Sequence, residues 1–592
     1  MSARSRGLAV AALALGVLTT QLGSAQADGG ALDPAFGNDG VVITATPASS
    51  AQESADLTAV VVQGDGKIVA GGHVKPPSSH GTTFAVARYD SDGSLDSSFG
   101  TGGMVTTDFG VDGEAVNGLA IQPDGKIVAA GEAGGVLALA RYNPDGSLDP
   151  TFGGGGVPGT VESDVIAGGQ EGVALQPDGK IIVAGGLQDM VVARYNADGS
   201  LDTSFGNAGV ASTPHSDFEY GTAVALMPDG KIVVAGSRSN SLPDSGPDRS
   251  FLVERLNPDG SPDASFGAGG IATVTIAAWD FGYSLALQPD GKVLVGGTSE
   301  TDSQQALTFA RLLPDGVLDH SFGDQGVVTT SEKGHDYFYI ARSLLLQPDG
   351  KIVAAGDSSS TSGPGSGFGL ARYLPDGSLD SSFGADGVLT TAFGADSAIT
   401  RAATLQPDGK IVVVGPTFST TPPSDAISFT LARYLSDDSH SLSVEKAPLA
   451  SGSGTVASQP LGIACAVDCA GDAAQFADQS LVTLTADPVP GSAVSWTGAC
   501  AGSGPVCKVT MQQAAESVHV RFSRCVVPRL KGKRAAAAKK AIRLAHCSVG
   551  HTKVKRSQRV AKGRVISQHP AAGSNLSAGS RVSVVVSKGR SR

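Results

Sequence analysis

Residues 32–44 read LDPAFGNDGVVIT, and residues 429–438 read FTLARYLSDD. Each is a fragment of a motif that occurs complete elsewhere in the chain. The complete motif is seen at 343–391, where four apolar runs of strand length follow one another at 343–347, 351–355, 369–373 and 388–391. None is long enough for a helix, and Val, Ile, Thr and Tyr are prominent, so each reads as a β-strand. On this template 32–44 is a turn and a fourth strand lacking the first three, and 429–438 is a third strand lacking a fourth. A linear solenoid would leave both fragments unpaired. A closed ring joins them, with strand 41–44 completing the unit begun at 401–434.

Between these ends the unit recurs seven times. The Lys of a DGK turn stands at 67, 126, 180, 231, 292, 351 and 410, at intervals of 59, 54, 51, 61, 59 and 59 residues, a spacing that points to one repeated supersecondary unit. The first two strands of a unit meet at Pro-Asp-Gly, as in LQPDGKIVAAG at 346–356. There Pro presets φ, Asp bonds back to the local backbone and Gly accepts positive φ, which makes a hairpin. The third and fourth strands meet at a longer but equally constant connection, such as PDGSLDSSFG at 375–384. Four antiparallel strands in each of seven units predict a seven-bladed β-propeller. Because strands alternate in direction, both constant turns fall on one face of the ring and the variable connections on the other.

The unit resembles the delta-60 repeat, a predicted β-propeller repeat of bacterial proteins whose signature is LQPDGKIVVAG and LARYxxDGSLDxxFG. The resemblance covers about 30–440 and implies an architecture with no established activity.

Position in the repeat separates structure from candidate function. Arg recurs at 88, 141, 194, 255, 311, 372 and 433, and Asp at 96, 149, 202, 263, 319 and 380, three residues before Phe-Gly. Equivalent groups pointing seven ways round a ring are expected to tie blades and turns together. No cofactor or metal is expected; calcium is the alternative, since Asn143, Asp145, Ser147 and Asp149 present alternating oxygens. Against it, Leu313 and Leu374 replace the first oxygen in two copies, and the glycine is misplaced for an EF-hand. The unrepeated residues lie in the variable connections, where aromatic rings stand beside acids: Phe109, Phe218, Tyr220, Trp279, Phe281, Tyr283, Tyr337, Phe338 and Tyr339. These form the candidate ligand face, because loops on a rigid scaffold commonly carry recognition. The competing reading is that they plug the channel mouth or pack between blades. No catalytic residue is assigned: His73, His80, His215, His320 and His335 are scattered, and neither GxSxG nor HExxH occurs.

The N-terminus carries Arg4 and Arg6, an apolar run at 8–18 and Ala25-Gln26-Ala27, which predicts a signal peptide over 1–27. The run is shorter than the ~20 apolar residues of a spanning helix, and no later stretch approaches that length, so no membrane span is expected after cleavage. All six cysteines, at 465, 469, 500, 507, 525 and 547, fall beyond the repeats; an exported chain with an even count favours disulfides over a metal site. Charge is also segregated. Residues 525–592 carry 17 Lys plus Arg and no acid, whereas the rest of the chain carries 26 basic and 56 acidic residues.

Residues 441–524 read as short strands with glycine turns and resemble the divergent internalin-type B repeat of secreted bacterial proteins. Gly462, Ile463, Cys465, Cys469, Phe476, the VTLTA strand, Trp496, Cys500, Cys507 and a terminal Val-x-Phe carry that likeness. It implies a core role for Trp496, with Cys465–Cys469 and Cys500–Cys507 as the local pairs, although spacing alone does not fix connectivity. Residues 525–592 combine an Ala-rich helix at about 533–546 with strands and resemble a PASTA domain at Val527-Pro528, Leu530, Gly532, Gly550, Val565, Gln568, Pro570, Gly573, Leu576, Gly579 and the last Val-Ser-x-Gly. That resemblance implies association with peptidoglycan, and Cys525 and Cys547 would tie the first strand to the end of the helix.

The expected fold is therefore mainly β: a propeller at 28–440, a small disulfide-containing β domain at 441–524 and a small α+β module at 525–592. The expected function is a secreted, non-catalytic binding or scaffold protein at the bacterial cell wall. Its partners would be peptidoglycan or another anionic wall polymer through the C-terminal module, and an unidentified ligand or protein on the propeller. Nucleic acid is not expected, since the basic stretch lacks interleaved aromatics. The alternative is an extracellular enzyme acting on a polysaccharide or small molecule at the channel mouth; acid and His side chains clustered there would favour it.

Overall fold

In each repeat the chain reverses at the DGK turn by a fixed set of bonds. In one copy Gln347 N–H donates to Lys351 O and Gly350 N–H to Gln347 O, each at 2.9 Å, with Gly350 at φ +86° and the Asp349 carboxylate accepting Lys351 N–H at 3.0 Å. The computed structural model describes residues 30–590 apart from 46–54, 77–80, 155, 167–171, 187–188, 213–217, 240–248, 302–303, 331, 334–335, 361–365, 395, 420–426, 437–438, 448–451, 460–461, 478–479 and 512–514. The expected signal peptide lies outside the described residues.

Seven antiparallel sheets follow one another. Blades 1 to 7 begin with Ala55–Val62, Ala115–Ile121, Gly172–Leu175, Phe218–Leu226, Trp279–Leu287, Ser343–Leu346 and Ala402–Leu405, and these first strands pack against one another as the inner ring. Blade 7 is closed by the N-terminal strand Val41–Ala45, which pairs with Ile427–Tyr434 so that Val41 faces Ala432 and Thr44 faces Phe429. The seam repeats the bonding found elsewhere in the ring. Tyr89 of blade 1 bonds Thr44 at 3.0 Å, as Tyr142 bonds Thr107 and Tyr373 bonds Thr330 at 2.8 Å.

The core is divided among the blade interfaces. Seven clusters of buried Val, Ile, Leu, Phe, Ala and Tyr each draw on two neighbouring blades, one of them joining blade 7 to blade 1 through Phe36, Val412 and Leu431. Sheets that are covered on both faces read as continuous apolar runs, and Thr83–Tyr89 is buried at every position.

The second module starts at Ser439–Lys446, slightly before the expected boundary, and consists of two sheets over one core. Trp496 is buried there, its indole N–H donating to Gly504 O at 2.8 Å. The disulfides are Cys465–Cys469 and Cys500–Cys507. In the third module Ala538 and Ile542 of the helix Ala535–Leu544 share a core with Val565, Val582 and Val584. Cys525–Cys547 joins its first strand to the residues after the helix. Gln568 clamps the entry to this module, accepting Leu530 N–H at 2.7 Å and donating to Pro528 O at 2.8 Å. Among the described residues no helix is long and apolar enough to cross a membrane.

Candidate functional site

The two faces of the ring are built by different means. On the constant face each repeat Arg is saturated with acceptors. Arg255 donates from Nε to Asp263 Oδ2 at 2.7 Å, from Nη1 to Pro314 O of the next blade at 2.6 Å and from Nη2 to Ser265 Oγ at 3.1 Å. Its guanidinium covers the Phe266 ring at 4.5 Å, and Lys231 of the DGK turn reaches the same carboxylate at 2.9 Å. The seventh cluster spans the seam: Arg433 and Lys410 meet Asp33, at 2.8 and 3.2 Å, while Arg433 covers Phe36. Asp33 was not among the six repeat aspartates singled out from the sequence, though LDPAFG places it three residues before Phe-Gly. Burial alone would raise these carboxyl pKa values, but N–H and hydroxyl donors together with the Arg and Lys charges outweigh it and hold Asp33, Asp96, Asp149, Asp263, Asp319 and Asp380 below the usual range. The oxygens considered for calcium are engaged in the turn itself: Asp145 accepts Ser147 N–H at 3.0 Å, and Asp149 accepts Thr151 N–H at 3.0 Å.

The variable face is organised by one repeated glycine. A Cβ on Gly72, Gly131, Gly236, Gly297, Gly356 or Gly415 would stand 1.5–1.9 Å from a carbonyl oxygen in the first strand or, in blades 6 and 7, three residues before it. Only the bare Cα admits that approach, and the first strand bulges beside it, between Leu57 and Ala59, Val116 and Gly118, Gly221 and Ala223, and Gly282 and Ser284. A bulge re-aims the side chain it carries. The bulge positions are Thr58, Asn117, Thr222 and Tyr283, continued by Arg342 and Arg401; Glu171, the blade 3 equivalent, lies outside the described residues. Hydroxyls at this level stitch neighbouring blades, as Thr222 Oγ1 does to Gly282 O at 3.0 Å and Ser284 Oγ to Ala341 O at 3.1 Å.

Blades 5 to 7 depart from that pattern and gather charge. Arg401 donates from Nε to Asp56 of blade 1 at 2.9 Å. Arg342 lies over Tyr283 at 4.7 Å, with Asp357 Oδ2 4.0 Å from its Nη2. Asp357 is held by Thr400 N–H at 2.8 Å. Burial pushes Asp56 and Asp357 up against the opposing pull of these arginines, and burial with the Arg401 charge lowers His73 to about 4. None of Arg342, Arg401, Asp56 or Asp357 was singled out from the sequence, and His73 counted only as one of the scattered histidines. Arg342 and Arg401 share one signal, a departure from the repeat five residues before the Gln that opens the DGK turn; Asp56 stands seven residues before it, and His73 and Asp357 directly follow the repeat glycines Gly72 and Gly356.

The aromatic candidates divide. Phe109 belongs to the core between blades 1 and 2, edge-on to Phe84 at 4.9 Å. Tyr220, Trp279 and Phe281 surround Arg249, whose guanidinium lies 5.7, 5.7 and 4.4 Å from their centroids, and Phe281 stacks parallel to Tyr283 at 6.4 Å. Phe218 is half-buried at the start of blade 4, and the Tyr339 hydroxyl bonds Ser359. The side chains of Tyr337 and Phe338, with His80, His215 and His335, lie outside what is described. The acids beside these rings serve the loops: Glu114 accepts Phe109 N–H at 2.9 Å, and Asp280 accepts Ile276 N–H at 2.7 Å.

A ring of seven repeat sheets, closed by the strand Val41–Ala45 and followed by a small β module and a basic α+β module, defines a repeat propeller with two appended domains. Residues 63–99, 122–152, 176–205, 228–266, 288–322, 347–383 and 406–439 match the family described as Domain of unknown function (DUF5122) beta-propeller, and 526–588 match the PASTA domain. The chain belongs to the DUF5122 beta-propeller family and carries a C-terminal PASTA domain. No curated protein matches the sequence. Among solved structures it is similar to virginiamycin B lyase from Staphylococcus aureus, at 9% identity and TM-score 0.37 over 67% of this chain and 99% of that one. It is also similar to polysaccharide lyase Uly1, at 13% identity and TM-score 0.37 over 64% and 90% of the two chains. A shorter likeness, at 29% identity and TM-score 0.11 over 14% of this chain and 30% of the other, is to the extracellular region of the Ser/Thr kinase PrkC from Staphylococcus aureus.

Proposed function

We propose that this is a secreted, non-catalytic binding protein retained at the bacterial cell wall, with the PASTA domain as anchor and the variable mouth of the propeller as the ligand-binding end. The observation that carries the reading is the PASTA match on a module bearing 17 Lys plus Arg and no acid. Peptidoglycan is the expected partner, and anionic wall polymers add attraction over a Debye length of about 8 Å at physiological salt. Three disulfides in the C-terminal modules suit an oxidising compartment.

The test is co-sedimentation with purified cell-wall sacculi, comparing the full chain with one ending at Ser523, at low and high salt. The full chain is expected to pellet at both salt concentrations and the truncated chain to stay in solution. If both remain in solution, wall retention is wrong.

One observation favours the second reading, an enzyme acting on a polysaccharide or small molecule: Asp56, Asp357 and His73 gather at the mouth with Arg342 and Arg401. Binding is preferred because Asp56 is ion-paired with Arg401, Asp357 is tied to the Thr400 backbone, and half-buried His73 is lowered to about 4 by desolvation and the Arg401 charge. Turnover of an acidic polysaccharide that disappears in His73→Gln would reverse that preference.

A further inference from the structure

Two arginines at the mouth contrast with the seven on the opposite face. The Arg342 side chain is 13% exposed, its Nε is buried without a hydrogen-bond partner, and its nearest carboxylate oxygen, Asp357 Oδ2, is 4.0 Å away. That separation is too long for a hydrogen bond, and the Asp357 carboxylate is already bonded to Thr400 N–H. Arg249 is 7% exposed and rests on three aromatic rings; among the described residues its guanidinium has no hydrogen-bond acceptor. Both guanidinium charges act on the phenol of Tyr283, which lies beneath Arg342 and stacks on Phe281, the ring nearest Arg249. A buried guanidinium without an acceptor is costly, and a planar oxyanion is the group that fits its fork.

We propose that Arg249, Arg342 and Tyr283 form a binding site for the carboxylate of an acidic saccharide, with the ring faces of Trp279, Phe281 and Tyr283 receiving the sugar ring. The assignment rests on the reading of the channel mouth as the binding end. A saccharide is favoured over a peptide because flat aromatic rings lie against both guanidiniums. Guanidiniums beside flat rings suit an oxygen-rich ring that carries a carboxylate and an apolar C–H face.

The site has a built-in reporter. Trp279 is one of two tryptophans, and the other, Trp496, is buried in the second module. Trigalacturonate titrated into the full chain is expected to change tryptophan emission saturably. Its Kd should rise by about tenfold or more in Arg342→Gln and in Arg249→Gln, and by about threefold in Tyr283→Phe. Arg342→Lys should recover part of the loss. The Arg342→Gln melting temperature should match that of the parent, which separates lost binding from lost folding. No saturable response to trigalacturonate, confirmed by calorimetry, overturns the proposal, as does binding undiminished in Arg342→Gln. Maltotriose bound as tightly, sensitive to Trp279→Ala but not to Arg342→Gln, overturns the acidic ligand while leaving the mouth as binding end. Trialanine bound as tightly as trigalacturonate overturns the saccharide. Sacculus binding is read separately, so its failure and the failure of this site are distinguishable.

Discussion

The constant and variable faces of the propeller use the same side chain for opposite ends. On the constant face Arg255 spends its guanidinium on a carboxylate, a carbonyl of the next blade and a hydroxyl, over a phenyl ring. At the mouth Arg249 and Arg342 keep the ring contact, and among the described residues neither guanidinium has a hydrogen-bond acceptor. A saturated cation stabilises the fold; an unsaturated one of similar burial has binding capacity left over. Repetition tracks the difference, because a seven-fold equivalent position can only serve what all seven blades need.

The sharpest way to break this comparison is to remove one carboxylate from the constant face. Asp33→Ala strips the partner of Arg433 and Lys410 at the seam, where the Asp33 side chain is 4% exposed. A loss of about 3–5 kcal/mol is expected in denaturant unfolding, the usual effect of leaving a buried charge unpaired. Arg194→Gln, which leaves Asp202 with Lys180 and Ser204 but removes an ion pair and the bond to Pro258 O of the next blade, should cost about 2–3 kcal/mol, whereas Arg342→Gln should cost under about 1 kcal/mol. Similar losses at Arg194 and Arg342 would erase the distinction between the faces.

Acid should separate the faces next. Carboxyls held low in the folded state add stability that is present above their ordinary value of 3.8 and lost as pH falls through their folded values, about 2 for Asp319. The propeller should therefore unfold below about pH 4. His73 acts over a higher window: lowered from 6.5 to about 4, it makes the unfolded chain the better proton binder, so stability declines between those values and then levels off. His73→Gln should flatten that segment of a melting-temperature profile and leave the lower one intact.

The smallest expected effect concerns a single departure from the repeat inside a blade. Six copies place Ala before the repeat Arg, and blade 4 places Glu254, where burial and then the Glu219 charge push the carboxyl up to about 8. A raised carboxyl costs stability as pH rises from its ordinary 4.5 through 8. Glu254→Ala should raise the melting temperature by about 1–3 °C at pH 9 and by less at pH 5. An equal gain at both would place the effect in packing.

Much of the fold was legible because it is local chemistry repeated. Pro-Asp-Gly turns, strand-length apolar runs and two complementary fragments at the ends predicted a closed seven-bladed ring, and the strand Val41–Ala45 occupies the predicted place beside Ile427–Tyr434. The site was legible only as a face. Aromatic residues drew attention to the connections, yet Phe109 packs between blades, and Glu114 and Asp280 satisfy loop N–H groups. Of the charged residues that meet at the mouth, Asp56, His73 and Asp357 sit inside strands and Arg342 and Arg401 directly precede one, where a polar residue resembles ordinary channel lining.

Sequence by itself determined the number of blades, their closure, the two appended modules and the segregation of charge, since each follows from periodicity, turn chemistry or composition read along the chain. Tertiary structure alone decided which arginines are saturated and which are not. Arg401 and Asp56 are 345 residues apart in the chain and 2.9 Å apart in space. The pairing exists because ring closure sets blade 7 beside blade 1, and Arg401, just before the first strand of blade 7, reaches Asp56 in the first strand of blade 1.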